Sequence, residues 1–174
     1  MKSFFYIIFF FIFTSISHAE SKVVFLDVNF IYTNSEAGKK LDKEIQTRSN
    51  KINKEITKYE TEIKNDEEKI LKQKNILSDE EFKNNSVKLQ QKAKKYNKII
   101  ASKRDELIKF RDKAKIEFYN QLMKVTSDYS SKNSIDMIIK KEQILIGKKE
   151  LDLTQEILNL FNKNVNIINI KWQN

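Results

Sequence analysis

From Ser35 to Asn133 the apolar residues recur in alternating steps of three and four, the spacing that keeps one narrow stripe in line along a coiled-coil helix. Ile56, Ile63, Ile70 and Leu77 occupy one seam position of a heptad, and Ile45, Ile52 and Tyr59 occupy the other. Asp66 and Gln73 interrupt this stripe toward its far end, which predicts looser packing there. A second run steps through Leu89, Ala93, Tyr96, Ile100, Lys103, Leu107, Phe110, Ala114, Phe118, Leu122, Val125 and Tyr129. Two runs predict two helices. Ser35 reads as the N-cap of the first, with Glu36 placing negative charge at the positive end of the helix dipole, and Gly38 near the start is the only helix breaker before Asn133.

The residues between the two runs decide between one long rod and a hairpin. Ser78-Asp79-Glu80-Glu81 is a capping box, in which the Ser78 hydroxyl and the Glu81 carboxylate satisfy backbone donors reciprocally, and Leu77 and Phe82 stand where a hydrophobic staple belongs. A new helix therefore starts after a tight turn near residues 74–79. Neither narrow stripe can be buried by its own helix, and a short connection favours antiparallel neighbours. At 1.5 Å per residue the two arms are roughly 60 and 80 Å long. Tyr59, Tyr96, Phe110 and Phe118 lie on the seams and read as core.

The flanks have a different texture. Lys22 to Val28 is β-branched and aromatic and reads as a strand. Ser134 to Ile139 and Gln143 to Ile146 read as two more, separated by Lys140, Lys141 and Glu142. Asp152 to Gln155 caps a last amphipathic helix carrying Ile157, Leu158, Leu160 and Phe161. In the tail, residues 164–174, Val165, Ile167, Ile170 and Trp172 alternate with polar residues, as in an edge strand or a loose end. The expected architecture is α+β and mostly α, with a helical hairpin at residues 35–133 inserted into a small β-rich body made of residues 20–34 and 134–163. Such a body is below the roughly 70 to 80 residues at which a core usually suffices, so self-association is expected.

Residues 1–19 read as a secretory signal instead of structure. Lys2 gives a basic start, Phe4 to Phe13 is an unbroken apolar run of ten, and Ser17 and Ala19 place small residues before a cut at Glu20. A bilayer span needs about 20 apolar residues, twice this run. Removal of the signal takes away His18, the only histidine, from a chain that has no cysteine. General acid/base catalysis, zinc sites and the usual nucleophile arrangements then lack their customary residues. Two glycines in 174 residues leave no phosphate-cradling loop. An enzyme is not expected, and neither a cofactor nor a metal is implied.

Charge is concentrated in the hairpin. Residues 35–133 hold 25 Lys or Arg against 17 Asp or Glu, net +8, while the remainder of the mature chain has seven of each. Residues 82–104 contain Lys83, Lys88, Lys92, Lys94, Lys95, Lys98, Lys103 and Arg104 and no acid. This stripe suits an acidic client or an anionic lipid or lipopolysaccharide surface. It also suits ordinary pairing across the hairpin, because residues 60–68 carry Glu60, Glu62, Lys64, Asp66, Glu67 and Glu68 opposite roughly 86–94. Lys98, Lys103 and Arg104 lie beyond that acidic match and are the stronger candidates for contact.

The order of parts resembles the Skp (OmpH) family of periplasmic outer-membrane-protein chaperones. The resemblance is carried by the signal, by Val23 to Leu41 (VVFLDVNFIYTNSEAGKKL), by SIDMII at Ser134 to Ile139, and by LDLTQEILNLFN at Leu151 to Asn162. It implies a homotrimer whose body joins three hairpin tentacles around a cavity that holds unfolded outer-membrane proteins without ATP. The sequence alone supports only more than one copy, and the tail exceeds the family pattern. A coiled-coil scaffold or adaptor of the cell envelope is the alternative. A sequence pI near 9.5 would also suit a nucleic-acid binder, but export removes the chain from nucleic acid, so no specific nucleic-acid partner is expected.

Overall fold

The computed structural model describes residues 21–170, so the signal reading and the end of the tail lie outside the described residues. The chain begins with β1 (Val23–Leu26), turns at Asp27 and enters α1 (Val28–Asn34). Two long helices follow, α2 (Glu36–Gln73) and α3 (Asp79–Lys132), then β2 (Met137–Lys140) and α4 (Thr154–Asn164). β1 and β2 pair in parallel from Val23 opposite Met137 to Leu26 opposite Lys140. Parallel strands need a long crossover. Here the crossover is α1 and the whole hairpin.

Four sequence expectations are corrected. The opening strand stops at Leu26, because the Asp27 carboxylate accepts from the Phe30 N–H at 2.8 Å and starts a helix whose Val28 and Ile31 face the core. Gln143 to Ile146 is no strand; after a short 3₁₀ turn at Lys141–Gln143 the chain runs on as coil, unpaired among the described residues. The body is consequently helical around a two-stranded sheet, not β-rich. The tail to Ile170 is neither strand nor loose, since Val165 and Ile168 are buried.

The core explains how the flanks hold the hairpin. Leu26, Val28 and Ile31 pack with Ala37 and Leu41 of α2, with Ala114, Phe118, Leu122 and Val125 of α3, and with Ile157, Leu158 and Phe161 of α4. The hairpin base therefore supplies six of the fourteen buried residues of this core, and the small body is completed by the arm. Gly38 makes the junction possible: a Cβ there would lie 1.8 Å from the Tyr32 carbonyl oxygen. Its N–H donates instead to Ser35 Oγ at 3.1 Å, the N-cap of α2. At the other end of the hairpin, Ser134 takes a left-handed conformation (φ 51°) and Ile135 N–H reaches back to the Ser130 carbonyl at 3.1 Å, closing α3 by a Schellman turn.

Candidate functional site

The candidate site is the hairpin itself, α2 and α3 with the turn between them. α3 begins at Asp79 because the capping box forms as its residues demand: Glu81 N–H donates to Ser78 Oγ at 3.3 Å, and Ser78 N–H donates to Glu81 Oε2 at 3.1 Å. The Ser78 hydroxyl, which donates to the same Glu81 Oε2 at 2.7 Å, and after it the Ser78 N–H hold the Glu81 carboxyl below its usual range. Leu77 and Phe82 are each half-buried at the turn, while Ile76, which the sequence pattern did not single out, is exposed at the tip.

Every seam residue of the two heptad runs is buried or half-buried. Contacts between the helices keep one register over most of their length. Arg48 lies 4.2 Å over the Phe110 ring, Lys103 Nζ is 2.5 Å from Glu55, the Tyr96 hydroxyl donates to Glu62 at 2.6 Å, and Lys92 Nζ is 2.6 Å from Asp66. In each pair the two residue numbers add to 158, so the helices run antiparallel without a slip. Asp66, which interrupts the apolar stripe, is met by Lys92 from the facing helix, and Lys92 also reaches Glu62 at 3.6 Å. The hydrogen bonds from Lys103, Tyr96 and Lys92 lower the pKa values of Glu55, Glu62 and Asp66 respectively. Reciprocally, Asp66 raises Lys92 and Glu55 raises Lys103.

The basic stripe is thereby divided. Lys92 and Lys103 are cross-hairpin partners: Lys103 does lie beyond the acidic segment 60–68, but it meets Glu55, an acid outside that segment. Lys83, Lys88, Lys94, Lys95, Lys98 and Arg104 are exposed and make no ion pair among the described residues. Pairing thus uses the lysines that lean toward the seam and leaves the outer ones to solvent.

A second feature was missed by the seam analysis. Ile108, Ile116, Tyr119 and Met123 are all exposed on α3. At about 100° per residue they fall within an arc of roughly 80°, well away from the seam through Phe110, Phe118 and Val125. Their steps of eight, three and four are helical, so a stripe out of phase with the heptad was the available signal. In the body, Leu145 is 97% and Ile146 90% exposed, in the segment that follows β2. No group of three or more His, Cys, Asp or Glu side chains that could hold a metal occurs among the described residues. No helix among them is long and apolar enough to cross a membrane.

Comparison with known proteins agrees with this geometry. Residues 22–161 match the family of OmpH-like outer membrane proteins, and the chain belongs to that family. No curated protein matches the sequence significantly. Among solved structures, a candidate outer membrane chaperone (OmpH-like) from Caulobacter crescentus is similar in fold, with a TM-score of 0.80 at 16% identity over 90% of this chain and 92% of that one.

Proposed function

We propose that this protein is an ATP-independent holdase of the bacterial periplasm, which binds unfolded outer-membrane proteins between hairpin arms and keeps them from aggregating before membrane insertion. The observation that carries this reading is the double character of the outer face of α3, where unpaired lysines and an apolar stripe lie along one arm of an OmpH-like fold. A holdase must engage many sequences weakly. Dispersed charge with modest apolar contacts does this better than one deep pocket. The same lysines suit an anionic lipid or lipopolysaccharide surface, where attraction falls as salt rises.

The arms enclose a space only in an assembly, and the reading includes a homotrimer joined at the bodies. Its support is the open edge of β2, which pairs only with β1 among the described residues, together with the exposed Leu145 and Ile146 in a strand-forming sequence that is unpaired among those residues. An unfolded outer-membrane β-barrel protein diluted from denaturant tests the function. The mature protein should suppress its aggregation without nucleotide, whereas a coiled-coil scaffold would leave aggregation unchanged. Sedimentation across a dilution series tests the assembly, and a monomer that stays folded at micromolar concentration would refute it.

A further inference from the structure

The C-terminal segment runs along the root of the arm. Asn162 Oδ1 accepts from the Glu36 N–H at 2.9 Å, one of the free donors at the start of α2. Four residues later the Asn166 carbonyl accepts from Lys40 Nζ at 2.8 Å, four residues further along α2. Between and beyond these ties Val165 and Ile168 are 8% and 6% exposed, and both belong to the packed cluster that contains Leu41, with Ile45 and Ile170 packed against it. The family match ends at residue 161, so Asn162, Asn166 and the two buried anchors Val165 and Ile168 lie outside it.

We propose that residues 162–170 are a strap that sets the angle at which the hairpin leaves the body. The physical ground is leverage. α2 is about 57 Å long, so a small rotation at its root becomes a large displacement at the tip. Its N-terminal connection is a single extended residue, Ser35, between α1 and α2. Helix ends joined through one residue can pivot, and the strap adds a second line of attachment along the first two turns, parallel to the arm. It acts within one chain, so the proposal stands apart from the chaperone reading.

A distance measurement between tip and body tests it. The chain has no cysteine, so Asn75→Cys at the turn and Gln155→Cys on α4 accept spin labels uniquely. Labelled chains are diluted into excess unlabelled protein so that only the pair within one chain is read. Val165→Asp with Ile168→Asp, which removes the apolar anchors, should widen the distance distribution at least twofold while circular dichroism keeps the helical signal. Asn162→Ala with Lys40→Gln, which removes only the two polar ties, should widen it less. A folded anchor variant with the original width would overturn the proposal. If the anchor variant does not fold, the polar pair decides: widening supports the strap, and an unchanged width rejects it.

Discussion

The root of the hairpin and its outer half are built from the same heptad yet are held by different physics. At the root, Ala114, Phe118, Leu122 and Val125 are buried because α1 and α4 cover the faces that a partner helix leaves open. In the outer half only two helices meet, and Ile63, Ile70, Leu89, Ala93, Tyr96 and Ile100 remain half in water. Full burial of a large apolar side chain contributes about 1.5–3 kcal/mol, so the outer half gains less per residue and depends more on what fixes its register. That is where Asp66, Lys92, Glu62 and Tyr96 stand. A two-helix arm trades core for reach, and its polar pins keep a thin seam from slipping.

The most damaging test of this contrast is Phe118→Ala. Its ring is 1% exposed and packs edge-on against Tyr32 at 4.9 Å and against Phe161 at 5.0 Å. The change should cost about 3–5 kcal/mol and lower the denaturant midpoint of the whole protein. A loss below 1 kcal/mol would mean that the root is not the core.

At the other end, replacing Ser78 and Glu81 together by Ala should cost about 1–2 kcal/mol locally. Hydrogen exchange should rise across residues 70–90 while protection at the root is unchanged, because local opening at the tip does not require global unfolding. Exchange rising equally in both regions would show that the arm melts as one unit.

A third change separates the solvent-facing lysines from the paired ones. Reversing Lys94, Lys98 and Arg104 to Glu should slow capture of an unfolded outer-membrane protein severalfold at low salt, and less at 0.1 M, where screening acts over about 10 Å. Helix content should hold. Lys103→Glu instead sets two carboxylates against each other at Glu55, so it should lower the melting temperature while the folded fraction captures at the original rate. Stopped-flow capture at two salt concentrations beside a melting curve distinguishes them.

The smallest effect concerns pH. Glu62 and Asp66 have folded pKa values below the ordinary carboxylate range, so their contribution to stability is present above pH ~4 and is lost as pH falls through the lower folded values. Glu62→Gln with Asp66→Asn should therefore melt slightly below the parent protein at neutral pH. The difference should shrink on acidification below about pH 4. A gap that persists undiminished at pH 2.5 would assign it to lost packing.

The arm was the most legible part of the chain. Each seam residue from Ile45 to Tyr129 was placed by spacing alone, and the turn by Ser78 and Glu81, because heptad phase and capping are relations between residues three or four apart. α1 escaped notice since it is seven residues long and hidden in a β-branched stretch, its start marked only by Asp27. Gly38 stands in the sequence only as a helix breaker near the start of a long run; the close approach of the Tyr32 carbonyl is what demands it.

The sequence by itself determined two long helices, their turn, the cap at Ser35 and the basic excess of the arm, all of which are fixed by neighbours along the chain. Only the tertiary structure decided that Gln143 to Ile146 stays unpaired, that Val165 and Ile168 dock, and that Lys103 meets Glu55 while Lys98 and Arg104 face water. A strand needs a partner edge and an apolar tail needs an uncovered surface. An ion pair across the arm likewise requires two helices in one register, and each of these depends on residues tens of positions away, whose approach no local pattern encodes.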